Sequence, residues 1–74
     1  MNSNANTTQV VFQLNGESTQ KPVGSTIADL IIDLGVSGRY AVEINGQVVP
    51  RTRHTEYKIV AGDKVEVVQA IGGG

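Results

Sequence analysis

The sequence closes on the run VEVVQAIGGG, and its last three residues are Gly72, Gly73 and Gly74. The group placed to react is the carboxyl of Gly74. Glycine has no Cβ, so a strand of glycines is about as thin as a polypeptide becomes. Three such residues reach roughly 10 Å, at about 3.3–3.6 Å each. A tail of that shape enters a narrow channel in a second protein and presents its carboxylate there. ATP activates such a carboxylate as an acyl-adenylate, and a nucleophile then takes the acyl group. A side chain at Gly73 or Gly74 would obstruct both steps. Terminal glycines also occur as frayed ends, so what precedes them decides between the readings.

Other chemistry is poorly supplied. The chain of 74 residues has one histidine, His54, and no cysteine. That excludes a disulfide scaffold, a thiolate zinc site and a cysteine nucleophile. Asp29, Asp33, Glu43, Glu56, Asp63 and Glu66 are spread singly and read as solubilising charges and caps. Catalysis needs groups that act together, and the spacing offers no dyad or triad. Neither a metal-ligand spacing nor a phosphate-loop or dinucleotide glycine motif is present. The glycine run has no helix behind it to cradle an anion. Arg51, Arg53 and His54 are expected in a solvated loop, with His54 at the surface. With a net charge of −1, one Phe, two Tyr and no Trp, the chain is no nucleic-acid binder.

The elements that carry the tail are legible from periodicity. MNSNANTTQ is polar, without a basic n-region or an apolar run, and residues 1–9 are expected to be a disordered leader. Asn6-Thr7-Thr8 matches a glycosylation acceptor by chance. In VVFQLNGESTQKPV, Val10, Phe12 and Leu14 alternate with polar or exposed positions, and Asn15-Gly16 is a tight-turn pair. The return strand ESTQKP is polar and stops at Pro22, as an edge strand does. In GSTIADLIIDLG, Thr26 caps a helix and Asp29 completes a capping box. Ile27, Leu30, Ile31 and Leu34 form its core-facing stripe, and Gly35 its C-terminal cap.

YAVEINGQVVP is a second strand-turn-strand unit around Asn45-Gly46, with Val42 and Ile44 inward. RTRHTEYKIV reads as a loop holding at most one helical turn. AGDK then turns into the last strand, KVEVVQAI, with Val65 and Val67 inward and Glu66 and Val68 outward. The order β-β-α-β-β-β is α+β. One helix covers one face of a mixed sheet of four to five strands, with the first and last strands adjacent in the middle. This is the ubiquitin-like β-grasp arrangement. Residues 10–71 are expected as the domain and 72–74 as a flexible tail. No apolar stretch approaches the ~20 residues that span a bilayer, and a cytoplasmic protein is expected.

From Val10 to Gly74 the chain resembles the ubiquitin-like sulfur carriers. Within them it is most similar to the thiamine-pathway ThiS family, which is related to the MoaD carriers. FQLNGE, GSTIADLI, EINGQVVPR and AGDKVEVVQAIGGG carry the resemblance, and NGQVVPR with the GD turn favours this branch. The polar leader departs from the pattern.

The resemblance implies a protein substrate rather than an enzyme, with no bound cofactor. A ThiF-like adenylyltransferase would activate Gly74 with Mg-ATP. A persulfide enzyme would supply sulfur to form a thiocarboxylate, and a ThiG-like thiazole synthase would receive it. Gly72 and Gly73 would be the flexible approach. Val68 and Ile71 are the candidates for docking, through the apolar patch such carriers present on the open sheet face. Three alternatives stay open: a carrier for molybdopterin or tRNA thiolation, a modifier joined to lysines, and an interaction module without acyl chemistry.

Overall fold

In the computed structural model, residues 8–70 are described. The elements are β1 (Gln9–Leu14), β2 (Glu17–Pro22), α1 (Ile27–Leu34), β3 (Tyr40–Ile44), β4 (Gln47–Val49), a 3-10 turn (Arg51–Arg53) and β5 (Lys64–Gln69). They form one five-stranded sheet in the order β2-β1-β5-β3-β4. β1 and β5 run parallel in the centre, and every other neighbouring pair is antiparallel. The expected α+β grasp architecture is the one observed.

Both hairpins turn on Asn-Gly pairs at positive φ, Asn15 (50°) with Gly16 (86°) and Asn45 (53°) with Gly46 (87°). Two successive residues at positive φ make the primed turn whose twist matches that of paired strands.

α1 begins with a full capping box. Thr26 Oγ1 accepts from Asp29 N–H, and Asp29 Oδ2 accepts from Thr26 N–H. The remaining early donors of a helix need outside partners. Ile27 N–H donates to Tyr57 O and Ala28 N–H to His54 O, while Leu30 N–H closes the first turn on Thr26 O. Thus the irregular segment after β4 is folded against the helix N-terminus. Its Ile59 N–H donates to Ser25 O, and the Ile59 side chain enters the core. That core consists of Phe12, Ile27, Leu30, Ile31, Val42, Ile44, Ile59 and Val65, all fully or nearly fully buried.

Three expectations are corrected. Leu34 does not join the core stripe and is 42% exposed. The helix stops there: Gly35 turns left-handed at φ 71°, with its N–H on Ile32 O and Val36 N–H on Ile31 O. This Schellman closure brings Val36, not Leu34, against the core. His54 is not a surface residue. It is 4% exposed, with Nε2 donating to Val49 O at 2.9 Å and its ring 6.0 Å from that of Tyr40. Asp63, expected as a solubilising charge, is likewise buried.

At the N-terminal boundary, β1 begins at Gln9, one residue before the expected domain start. Thr8 O also accepts from Val23 N–H. The remainder of the expected leader, residues 1–7, lies outside the described residues, as do Ile71, Gly72, Gly73 and Gly74.

Candidate functional site

The site is built around β5, the strand that leads to the glycine run. Side-chain alternation puts Val65 and Val67 on the core face and Lys64, Glu66 and Val68 on the open face. The register with β3 sets Val68 opposite Ala41 and Glu66 opposite Glu43. Val68 is 56% exposed. It stands on the open face, as the sequence expects of a docking residue.

β5 is held on both flanks by groups that are not strand backbone. β1 leaves the sheet at Leu14, and Asn15 takes over its pairing. Asn15 N–H donates to Val65 O at 2.8 Å. Its side-chain Oδ1 accepts from Val67 N–H at 2.9 Å, and Nδ2 makes a longer 3.5 Å contact to Val67 O. One carboxamide thus replaces a peptide unit beside β5. Asn45 acts similarly at the start of the strand. Its N–H donates to Lys64 O, and its Oδ1 accepts from Lys64 N–H at 2.9 Å.

Asn45 Nδ2 in turn donates to Asp63 Oδ1 at 3.0 Å. Asp63 Oδ2 accepts from Val60 N–H at 3.0 Å and from Tyr57 OH at 3.4 Å. A buried carboxylate is tolerable when its lone pairs are taken up in this way. The pKa of Tyr57 is raised above its ordinary 10.0, first by burial, then by the charge of Asp63 and by the hydrogen bond to it.

At the far end, segment 37–40 clamps the root of the tail. Ala70 N–H donates to Arg39 O, and Gln69 Nε2 donates to Ser37 O at 3.1 Å. Arg51 fixes that segment. Its guanidinium lies 4.2 Å above the Tyr40 ring and donates to Gly38 O at 2.6 Å. Stacking and hydrogen bonding together use a guanidinium as lysine could not. The chain is therefore pinned up to Ala70, immediately before the glycine run.

A family model described as the ThiS family matches residues 4–74. The chain belongs to the ThiS family. Among curated proteins it is 39% identical over 62 residues to a thiazole synthase of Paramagnetospirillum magneticum, covering 82% of this chain and 19% of that protein. It is also 39% identical over 64 residues to a thiazole synthase of Magnetococcus marinus, covering 85% of this chain and 20% of that one. The chain thus spans about a fifth of the length of the curated relatives it matches. Among solved structures it is similar to the thiamine biosynthesis protein (ThiS) from Geobacter metallireducens. That likeness has a TM-score of 0.68 at 27% identity over 88% of this chain and 100% of the other.

Of the residues singled out in the sequence, the structure places Val68 on the open face, while Ile71 and Gly72–Gly74 lie outside the described residues. Sequence reasoning missed the clamps: the side chains of Asn15 and Asn45, the buried Asp63, and Arg51. A turn asparagine gives no sign that its carboxamide also pairs with a distant strand. Arg51 was visible only as part of NGQVVPR. Among the described residues, no three His, Cys, Asp or Glu side chains come together to hold a metal, and no helix is long and apolar enough to cross a membrane.

Proposed function

We propose that this chain is a sulfur carrier that brings sulfur to the thiazole of thiamine on the carboxyl of Gly74. The observation that carries the reading is the match to the ThiS family over residues 4–74. The geometry of β5 supports it. A central strand pinned through Ala70 gives the following glycines a rigid base, and a thin tail then approaches a remote active site with few freedoms to lose. The thiazole synthase relatives support the destination. In each, a segment similar to this chain makes up about a fifth of the protein. A carrier-like segment and a synthase in one polypeptide point to a ThiG-like synthase as acceptor.

The chain serves as substrate for its partners. A ThiF-like enzyme binds Mg-ATP, the Gly74 carboxylate attacks the α-phosphorus, and pyrophosphate leaves. Sulfur presented as a persulfide displaces AMP from the acyl carbon. Cleavage of the resulting S–S bond by a thiol leaves the thiocarboxylate. Gly72 and Gly73 keep the approach narrow. Val68 and Ile71 contact the partner surface while the tail is engaged.

Intact-protein mass spectrometry tests this. The chain is incubated with Mg-ATP, the ThiF-type enzyme of the same genome and a persulfide source, beside a variant lacking Gly73 and Gly74. The expected result is the mass gain of one sulfur replacing one oxygen, mapped to Gly74 and absent in the variant. No gain with an enzyme proven active on another carrier overturns the reading.

A further inference from the structure

The open face of the sheet carries an unusual local arrangement. Glu43 and Glu66 stand directly opposite each other on the two antiparallel strands β3 and β5. Hydrogen bonds at Asn45–Lys64 and Ala70–Arg39 fix the phase of this ladder. By alternation, Glu43 and Glu66 form a hydrogen-bonded pair, with both side chains leaving the same face. Like charges in directly opposed positions destabilise a sheet.

Nothing within the described residues relieves the pair. The ion pairs found there are Lys21–Asp33 and Arg53–Glu56, away from this face. Lys64, two residues before Glu66, and Arg39, four residues before Glu43, share the face, and neither forms an ion pair with the two carboxylates.

The surroundings of the pair are apolar. Val48 is the cross-strand neighbour of Glu43 on β4 and is 65% exposed. Ala41 and Val68 are the next pair toward the tail root. A ring of apolar contacts that excludes water strengthens a central charge interaction. Two exposed carboxylates without further oxygen ligands make a poor calcium or magnesium site. They are well suited to one guanidinium or ammonium, which turns their mutual repulsion into two attractions.

We propose that Glu43 and Glu66 form the seat for a basic side chain, arginine or lysine, on the adenylating partner of this carrier. The inference rests on the carrier reading above. The seat lies on the same strand as the tail root, with Glu66 four positions before Ala70. A partner engaged there meets the tail as it leaves the sheet. The seat also favours partners with a cation at that point over those with an acid or an apolar group there, because an unmatched acid pair is costly to cover.

The test measures adenylation by ATP–pyrophosphate exchange with the ThiF-type enzyme of the same genome. Substrates are the parent chain, Glu43→Gln, Glu66→Gln, the double variant, and Glu17→Gln as an off-face control. KM for the carrier is expected to rise roughly tenfold in each single variant and further in the double, with kcat unchanged. The rise of KM with salt is expected to flatten in the double variant, because the screened attraction is gone. Thermal midpoints of the variants are expected to match or exceed that of the parent, which excludes misfolding as the cause. A double variant with unchanged KM and unchanged salt dependence overturns the acid seat and leaves the carrier reading standing. No exchange with the parent chain, on an enzyme active with another carrier, removes the carrier reading itself.

Discussion

Asn15 does two jobs, and substitution separates them. Its backbone holds φ 50° in the first hairpin turn, while its carboxamide pairs with Val67 at 2.9 Å and 3.5 Å. Asn15→Gly keeps the turn conformation and removes the carboxamide. Val67 N–H is then left to water. A lost hydrogen bond at an exposed position costs about 0.5–1.5 kcal/mol. The greater freedom of glycine in the unfolded chain adds about 0.4–1 kcal/mol. Asn15→Ala removes the same bonds and places a Cβ at positive φ, which costs about 1–2 kcal/mol. Asn15→Asp keeps the acceptor for Val67 N–H, tolerates the turn, and is expected within about 0.5 kcal/mol of the parent.

Urea denaturation ranks the three variants, with a midpoint temperature falling about 4–8 °C per kcal/mol in a domain of this size. The sharper assay is amide exchange. Val67 N–H is expected to exchange roughly 2- to 13-fold faster in Asn15→Gly, the rate equivalent of the lost bond. Val42 N–H, on the opposite flank of the same strand, is expected to follow global stability only. Unchanged relative exchange at Val67, or an aspartate variant as damaged as the glycine one, would refute the side-chain clamp.

Two further outcomes follow from the packing and the buried carboxylate. Leu30→Ala is expected to cost about 2–5 kcal/mol and Leu34→Ala no more than about 0.5 kcal/mol. Equal losses in chemical denaturation would show that Leu34 is core after all, against its 42% exposure. Tyr57 has a raised folded-state pKa, so its contribution is present below the unfolded value of 10.0 and is lost as pH rises through the folded one. The thermal midpoint is expected to fall more steeply above pH ~10 in the parent than in Tyr57→Phe. Parallel profiles would remove Tyr57 as a contributor.

The regular elements were legible because their signals are local. Two Asn-Gly pairs, a capping box and an apolar stripe each depend on a few adjacent residues, and all of them fold as expected. The burial of Val65 and Val67 and the exposure of Val68 followed from alternation alone. What the sequence hid depends on contacts between distant segments. RTRHTEYKIV has neither helical nor strand periodicity. It is ordered because His54 O and Tyr57 O satisfy the first helix donors and Ile59 fills the core, and no periodic signal encodes that. His54 and Asp63 look like surface polar residues until Val49 O and Asn45 Nδ2 are found beside them. Leu34 was misplaced because the helical wheel continues past the point where Gly35 ends the helix. The docking candidate Val68 was legible, whereas the acid pair beside it needed the β3–β5 register.

The central place of β5 also couples the order of synthesis to readiness. Asn15 must wait for Val67, 52 positions later, before its carboxamide has a partner. β1 and β2 emerge early from the ribosome as a lone hairpin, which is marginal in water by itself. The sheet cannot close until its middle strand arrives, among the last of the described residues. Such distant pairing slows folding. It also means that a nascent chain has no assembled open face to offer a partner. Only a completed chain displays Val68, Glu43 and Glu66 on one surface, so partner engagement doubles as a check that synthesis has finished.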